Sequence, residues 1–307
     1  MKADDHSLGR DQYQTVHGAA IKLLDRSGSW GRFPTPVDDV LSAAKLTLAP
    51  ISAFDETAVQ RYIRHAGVEA GRFLKKALDK VLGIFDVHAD VIHIDESVNN
   101  EKQTFLKLHE TGHKEIPHQS RLYQWIQDCS KHLSPEAADL FEREANTFAS
   151  IVLFQDDTFS NITAEYEFGI KVPIKYSKKF GASVYASIRE YVRHNHRACA
   201  VIVLEPTEYN KTLGVCAKVR RVQCSSNFDA KFKTFAPPQM LTALDELSKL
   251  IPLGKARMSK PAGFGLLDDR GDTHEFIGEG FATPYNTFIL IHAVTTLSSK
   301  IFIPSIE

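Results

Sequence analysis

The segment FLKLHETGHKEIPH, residues 105–118, combines two histidines and a glutamate at a spacing suited to metal chemistry. His109 and His113 are four residues apart, so on a helix their imidazoles lie one turn apart on one face and can bind one cation together. Glu110 follows the first histidine, where its carboxylate can take a proton from a water polarised by the cation. This HExxH pattern predicts a hydrolytic zinc site with two histidine ligands and a glutamate as general base.

Both histidines fall on the apolar side of the predicted helix. Their half of the helical wheel also holds Phe105, Leu106, Leu108, Gly112 and Ile116, whereas Lys107 and Thr111 fall opposite. Buried imidazole nitrogens need polar partners, and a metal ion is one such partner. The competing interpretation is a pair of core histidines satisfied by ordinary hydrogen bonds.

A catalytic zinc site takes a third protein ligand, and the segment SPEAADLFEREANTFAS, residues 134–150, offers two glutamates. We favour Glu142, because it shares a helix face with small residues that permit close helix packing. Glu144, which lies among larger apolar side chains, is the alternative ligand. Asn146, one turn after Glu142, is placed to hold a ligand histidine through its other ring nitrogen. We expect zinc (Zn2+), with Mn2+ able to substitute in vitro, since affinity alone does not enforce selectivity.

Further side chains near the motif are candidates for stabilising the oxyanion of a tetrahedral intermediate, although surface and packing roles compete. They are Tyr123, His118 and His132. Cys129 as a fourth ligand would close the site and leave Glu110 without a role, so we do not expect it to bind the metal.

Helices and a strand pair are predicted to position these residues. The helices are expected at Gln12–Arg26, Val37–Lys45 after a Thr35 cap, Glu56–Leu82, Glu101–Ile116 and from Ser134 to Phe154. The alternating segment GIFDVHADVIHID, residues 83–95, predicts a hairpin or strand pair before the zinc helix, and Pro117 ends that helix. Residues 155–169 are predicted to be irregular.

After residue 170 two more helices are predicted, and near residues 195–198 the pattern changes from helical to strand-like. PIKYSKKFGASVYASIREYVRHN predicts two helices around a turn at Gly181, and this basic pair resembles a helix-turn-helix. ACAVIVLEP opens a β-rich segment, and DDRGD, residues 268–272, predicts a hairpin turn. We therefore predict an α+β protein. Its parts are a flexible tail (1–11), a mainly helical metal-site domain with a small sheet (12–170), the helix-turn-helix-like pair (171–197) and a C-terminal α/β accessory domain (198–307).

Composition sets further limits on the function. The 37 lysines and arginines nearly balance the 38 aspartates and glutamates, which gives no global electrostatic case for nucleic-acid binding. No apolar run approaches the roughly 20 residues that span a bilayer, and the polar N-terminus does not resemble a signal peptide. Scattered cysteines without a CxxC motif indicate reduced thiols. We expect a cytoplasmic protein without a membrane partner.

The sequence from His109 to His113, with DVIHIDESV before it and EREANTFAS after it, resembles the ImmA/IrrE family of metallo-endopeptidases. The resemblance extends over roughly residues 12–195, although LFQDD stands where the family usually has leucine-methionine-proline. It implies a zincin-like fold and Glu142 as the third ligand. It also implies cleavage of a helix-turn-helix repressor encoded nearby, which releases a stress or mobile-element programme. Some members carry a C-terminal sensor-like domain, which implies a regulatory role for residues 198–307.

Two classes of function follow from these patterns. In the first, a zinc endopeptidase accepts an extended peptide by strand addition to the alternating strand before the zinc helix. In the second, a DNA-binding or scaffolding regulator keeps a structural zinc and contacts DNA weakly through the basic helical pair. Glu110 separates the two classes, because a structural site has no use for a general base.

Overall fold

The computed structural model divides the chain into two compact units. The residues it describes are 6–49, 83–86, 90–94, 97–122, 134–254 and 256–294. Unit 1 comprises Met1–Phe159 with Ser177–Ser183, and unit 2 comprises Ser160–Tyr176 with Val184–Glu307. The predicted helix Glu56–Leu82 lies outside the described residues.

The other helices predicted around the site are confirmed. They are α1 (Arg10–Ser27), α2 (Val37–Ala43), α3 (Asn100–Glu115) and α4 (Pro135–Phe154). Their apolar periodicity explains them: the buried residues of α1 are Val16, Ala19, Ala20, Leu23 and Leu24, a stripe at helical spacing. Because α1 begins at Arg10, the last two residues of the predicted flexible tail are helical.

Side-chain caps set the starts of α3 and α4. The Asn99 side chain accepts a hydrogen bond from the Lys102 N–H at 2.9 Å. The Ser134 hydroxyl accepts one from the Ala137 N–H at 3.3 Å. Each cap satisfies an N–H group that has no partner within its helix. After α3, a short helical segment covers residues 117–122.

The predicted Thr35 cap of α2 is wrong. Pro36 occupies the N-cap position, and the described structure shows no side-chain hydrogen bond capping this helix. Thr35 is buried instead, and its hydroxyl donates to the carbonyl of Leu153, 3.1 Å away. The Thr35 side chain, which the local pattern assigned to the start of α2, therefore contacts α4 instead.

The prediction that residues 155–169 are irregular is wrong in part, because α5 (Thr158–Ala164) lies within them. Phe159 on this helix is fully buried, and its ring packs 4.8 Å from Phe154 and 5.2 Å from Phe180 between centroids. A helix of two turns is too short to show a clear apolar period, so this aromatic cluster was not visible in the sequence.

Unit 1 also contains, among its described residues, a small three-stranded sheet. Its strands are β1 (Thr47–Leu48), β2 (Gly83–Asp86) and β3 (Val91–Ile94), in the order β1-β3-β2. The antiparallel pair β2–β3 confirms the predicted strand pair, while β1 runs parallel to β3. Strand β1 pairs with β3 at Val91 and Ile92, so β3 has partners on both sides over these two residues. Addition of a substrate strand to β3 stays a prediction.

Unit 2 is built on an antiparallel sheet. Its described strands are β4 (Cys199–Leu204), β5 (Glu208–Asn210), β6 (Gly214–Cys224), β7 (Met240–Leu241), β8 (Ala262–Leu267), β9 (Thr273–Ala282) and β10 (Thr287–Ala293). The order is β5-β6-β4-β10-β9-β8, with β7 beside β6. Every described pair is antiparallel, so the predicted α/β type is wrong for this segment. The fully buried β4 has the continuous apolar pattern typical of parallel strands, which explains the error.

Of the helical segments described from residue 171 onward, two precede β4 and two lie between strands of the sheet. They are α6 (Lys171–Phe180), α7 (Val184–Arg193), α8 (Ser226–Lys231) and a 3-10 helix (Glu246–Leu250). One buried cluster within unit 2 joins Phe228 and Phe232 to strand residues such as Ile202, Phe276 and Ile289. This unit therefore has a hydrophobic core of its own.

The predicted pair of helices around Gly181 is confirmed, and the glycine adopts φ +66° between α6 and α7. The α7 residues from Ser187 to Val192 are all buried, and α7 packs against β4 and β6. Two divisions between the compact units fall in this helical pair, one within α6 after Tyr176 and one before Val184 of α7. A helix that reads DNA must present side chains to base edges, and α7 does not present this buried stretch.

The predicted turn at residues 268–272 is confirmed between β8 and β9. The Asp268 side chain accepts hydrogen bonds from the N–H groups of Arg270 and Asp272, and Gly271 adopts φ +84°. These local bonds are typical of a turn closed by an aspartate.

Cys199, Cys216 and Cys224 are free thiols, and Cys129 lies outside the described residues. Burial raises the pKa of the Cys199 thiol to about 12, which leaves it protonated. In the part of the chain that the structure describes, no helix combines the length and the apolar character that crossing a bilayer requires.

Candidate metal centre

Close packing of α3 against α4 brings the candidate ligands together. A Cβ atom at Gly112 would lie 3.1 Å from Phe148 Cδ1 and 3.3 Å from Ala145 Cα. The glycine therefore lets the two backbones approach more closely than a larger residue allows. Ala145 and Ala149 on α4 are fully buried, and their small side chains permit the same approach.

The three predicted ligands converge near this contact. His109 Nε2 and His113 Nε2 are 3.2 Å apart. Glu142 Oε2 lies 3.3 Å from His109 Nε2, and Glu142 Oε1 lies 3.7 Å from His113 Nε2. One ligand atom from each residue lies within 4.8 Å of the others, which makes these residues a group that could hold a metal ion.

Hydrogen bonds at Nδ1 set the orientation of both rings. His109 Nδ1 lies 3.0 Å from Asn146 Oδ1, and His113 Nδ1 lies 2.7 Å from Gln119 Oε1. An amide oxygen only accepts, so each Nδ1 carries a hydrogen and each Nε2 is directed at the other ligands. Two imidazole nitrogens and a carboxylate grouped in this way need a positive charge between them. A divalent ion with nitrogen and oxygen ligands fits that donor set.

The pKa values favour the protonation states that metal binding needs. Burial lowers the pKa of His113, and His109 lowers it further, against the opposing charges of Glu110 and Glu142. Burial tends to raise the pKa of Glu142, but the hydrogen bond from His109 and the charges of both histidines outweigh it and lower the pKa. A neutral His113 and an ionised Glu142 are the forms that bind a cation.

Glu110 lies beside the ligands on α3 and is 7% exposed. Its charge acts on His113, raising the pKa of that ring against the effect of burial. Thr111, which the helical wheel placed on the opposite side, is also fully buried, and its hydroxyl donates to the carbonyl of Lys107 at 2.7 Å. From Leu108 to His113 every residue of α3 is buried, because α1, α2, α4 and the small sheet all pack against this helix.

Glu144, the alternative third ligand, lies outside this ligand group. It is 1% exposed, and its Oε2 accepts a hydrogen bond from Gln119 Nε2 at 2.6 Å. The same oxygen lies 2.7 Å from His118 Nε2, so this candidate oxyanion stabiliser is directed at Glu144 in the structure. The other two candidates, Tyr123 and His132, lie outside the described residues.

Gln119 is a site residue that the sequence analysis missed. It is fully buried in the segment after Pro117, and its Nε2 also donates to the carbonyl of Phe141 at 3.2 Å. Its partners lie on α3 and α4, so no local pattern could indicate its role. The one signal in the sequence for this role was a polar residue shortly after the end of the zinc helix.

The chain resembles known proteins in sequence over one segment and in fold over most of its length. Residues 70–187 match the peptidase family described as the IrrE N-terminal-like domain, and this segment contains Glu110 and all three candidate ligands. No curated protein sequence matches the chain. A solved structure of a Mycobacterium tuberculosis transcriptional regulator is similar in fold, with a TM-score of 0.51 and 10% identity over 97% of this chain and 95% of that chain.

Proposed function

Residues 70–187 place the chain in the ImmA/IrrE family, and on that premise we propose that it is a metal-dependent endopeptidase that cleaves one specific protein. The convergence of His109 Nε2, His113 Nε2 and the Glu142 carboxylate, next to Glu110, is the observation that carries this proposal. Zinc is the metal we propose, with manganese as a substitute in vitro, because imidazole and carboxylate ligands suit both ions.

Each of these side chains has a task in peptide hydrolysis. The two histidines and Glu142 would hold the ion, which would supply Lewis-acid polarisation for the hydrolysis. Glu110 takes the proton of the attacking water on its carboxylate and delivers it to the nitrogen of the leaving peptide. The side chain of Glu142 is 35% exposed, so solvent reaches the ligand group at this residue.

The proposed substrate is a helix-turn-helix repressor encoded near this gene. The family resemblance of the HETGH and EREAN segments supports this substrate class. The similar solved structure is that of a transcriptional regulator, which is compatible with a role in transcription. Cleavage of the repressor would release a stress or mobile-element programme, and such a substrate places the protease in the cytoplasm.

Incubation with the product of the neighbouring repressor gene tests the proposal. The zinc-loaded protein should produce one discrete cut, which a chelator abolishes and added zinc restores. Glu110→Gln should keep the fold and the metal while cleavage slows by about a hundredfold or more. A Glu110→Gln variant that cuts at the wild-type rate would show that this carboxylate is not the base.

Glu115→Gln is the matched control on the same helix. Glu115 forms an ion pair with Arg26 at 2.7 Å and has no contact with the ligand group in the described structure. The chemical change equals that of Glu110→Gln, so cleavage should stay at the wild-type rate. Loss of cleavage in both variants would indicate general damage to α3 rather than loss of a base.

The rival function, a DNA-binding or scaffolding regulator with a structural zinc, has less support. The stretch Ser187–Val192 on α7 is buried, which leaves the exposed lysines of α6 and Arg197, just after α7, for a weak contact with DNA. Glu110 also has no task in a structural site. We therefore retain the protease as the proposed function.

A further inference from the structure

We propose that Gln119 and Glu144 are positioning residues that hold the ring of His113 toward the metal. The inference rests on the metal site proposed above. Neither residue contributes a ligand atom to the group formed by His109, His113 and Glu142. Their effect passes through the hydrogen bond at His113 Nδ1.

The orientation of the Gln119 amide follows from its three partners. Its nitrogen is directed at two oxygens, Glu144 Oε2 at 2.6 Å and the Phe141 carbonyl at 3.2 Å. Both oxygens accept, so the two hydrogens of the amide are used there. The amide oxygen must then face His113 Nδ1, 2.7 Å away. A flipped amide would lose the hydrogen bonds to Glu144 and Phe141 inside a fully buried environment.

Glu144 supplies the acceptor that keeps this amide in place. A buried carboxylate is costly unless it is paired and hydrogen-bonded. The His118 ring, whose side chain is 43% exposed, lies 2.7 Å from the buried carboxylate and pairs with it. The contacts His118–Glu144–Gln119–His113 therefore form a continuous chain from the protein surface to a metal ligand.

This chain selects one tautomer of His113. With a hydrogen fixed on Nδ1, the lone pair is on Nε2, which faces His109 Nε2 at 3.2 Å. Without Gln119 the ring could rotate, and either nitrogen could carry the hydrogen. Loss of such an outer hydrogen-bond partner typically reduces metal affinity by about 10- to 100-fold.

Zinc affinity of Gln119→Leu, measured by competition with a chelating dye, tests the inference without any substrate. We expect a loss of about 10- to 100-fold relative to the wild type. We also expect the ligand-field absorption spectrum of the cobalt-loaded variant to differ from that of the wild type, because the geometry at His113 changes. Equal zinc affinities and identical cobalt spectra would overturn the inference.

Gln155→Leu is the matched control for stability. Gln155 is also fully buried, and its amide bonds the Gly31 N–H and the Arg32 carbonyl, each at 2.8 Å. It lies thirteen residues after Glu142, about 20 Å along the same helix. This variant should lower the melting temperature but leave zinc affinity unchanged. An equal loss of zinc affinity in both variants would overturn the inference, because general destabilisation would then explain the effect.

If Gln119→Leu fails to fold, exchanging the amide and the carboxylate between residues 119 and 144 still tests the inference. Gln119→Glu places two carboxylates against each other and should weaken zinc binding. Adding Glu144→Gln restores a donor opposite the new carboxylate, so the double variant should regain at least about tenfold in affinity. If it binds no more tightly than Gln119→Glu, the pairing is wrong. A wild-type protein that binds no zinc would instead overturn the proposed function, and this inference with it.

Discussion

Gly112 on α3 lies so close to Phe148 on α4 that a methyl group at residue 112 would sit 3.1 Å from the phenyl ring. The same methyl would lie 3.3 Å from Ala145 Cα, a backbone atom that cannot move aside alone. The distance between the two helices sets the distance between the histidines of α3 and Glu142 of α4. The absence of a side chain at Gly112 is therefore a condition for the ligand group.

Gly112→Ala should destabilise the protein and weaken zinc binding. Alanine favours the helix by about 1 kcal/mol over glycine, but overpacking of a buried contact costs about 1–3 kcal/mol. We expect a net loss of about 1 kcal/mol in the free energy of unfolding. Denaturant unfolding of the metal-free protein and a zinc competition titration measure the two effects.

Gly18→Ala is the control for that substitution. Gly18 lies inside α1, and no heavy atom comes within 4 Å of the added Cβ. Only the gain in helix propensity applies, so this variant should be more stable by up to about 1 kcal/mol. Equal stabilisation by Gly112→Ala would contradict the argument from close packing.

Glu142→Gln and Glu144→Gln should separate the third ligand from its neighbour. Glu142→Gln removes a charged ligand. Its zinc affinity should fall by more than about 100-fold, which is the largest loss typical of removing a hydrogen-bond partner of a ligand. Glu144→Gln keeps an oxygen that can accept from Gln119, so it should mainly lower stability through the lost ion pair with His118. Zinc titrations and thermal unfolding of both variants measure this. The reverse pattern would assign the third ligand to Glu144.

The metal-free protein should lose stability as the pH falls below neutral. The pKa of His113 is lowered in the native state, mainly by burial. Below the ordinary histidine pKa the unfolded chain therefore binds more protons at this residue, and stability falls with falling pH. The fall begins near about pH 6.5 and continues to the lowered native pKa.

His113→Gln checks this linkage, because glutamine does not titrate. Melting temperatures in a chelating buffer at about pH 7.5 and about pH 5.5 should differ less for the variant than for the wild type. His109 and Glu142 are present in both proteins, so the comparison reports the titration of His113 together with its electrostatic coupling to these two groups. Equal differences would mean that the buried ring is protonated as easily as a free histidine.

Removal of residues 184–307 should leave the metal site intact, because all of unit 1 is kept together with Ser160–Tyr176 of unit 2. All three ligands lie in Met1–Phe159 of unit 1, while α7 packs against β4 and β6 within unit 2. A chain ending after Ser183 should therefore bind zinc with near wild-type affinity. A chain ending after Asn195 would expose the buried side chains of α7 and should aggregate. Loss of zinc from the shorter chain would show that unit 2 is needed to build the site.

We propose that residues 198–307 form an accessory domain that selects the substrate or senses a signal. Unit 2 has its own hydrophobic core, which includes Phe228, Phe276 and Ile289. A core of this kind permits independent folding. Its position in the chain after all three ligands supports a role other than metal binding.

The sequence by itself determined the elements that depend on local spacing. The interval between His109 and His113 defines a shared helix face, and Ser134 marks a helix start through a bond to the chain that follows it. Such features rest on interactions within one turn of helix, so a single segment contains all the information they need.

The tertiary structure decided the features whose partners are distant in sequence. Glu142 and Glu144 are both inward-facing on α4, and only the packing of Gln119 and His118 distinguishes the ligand position from the paired carboxylate. The middle position of β3 depends likewise on β1, a strand more than 40 residues earlier in the chain. The physical reason is that hydrogen bonding and burial act through space, and one sequence leaves open which distant groups supply them.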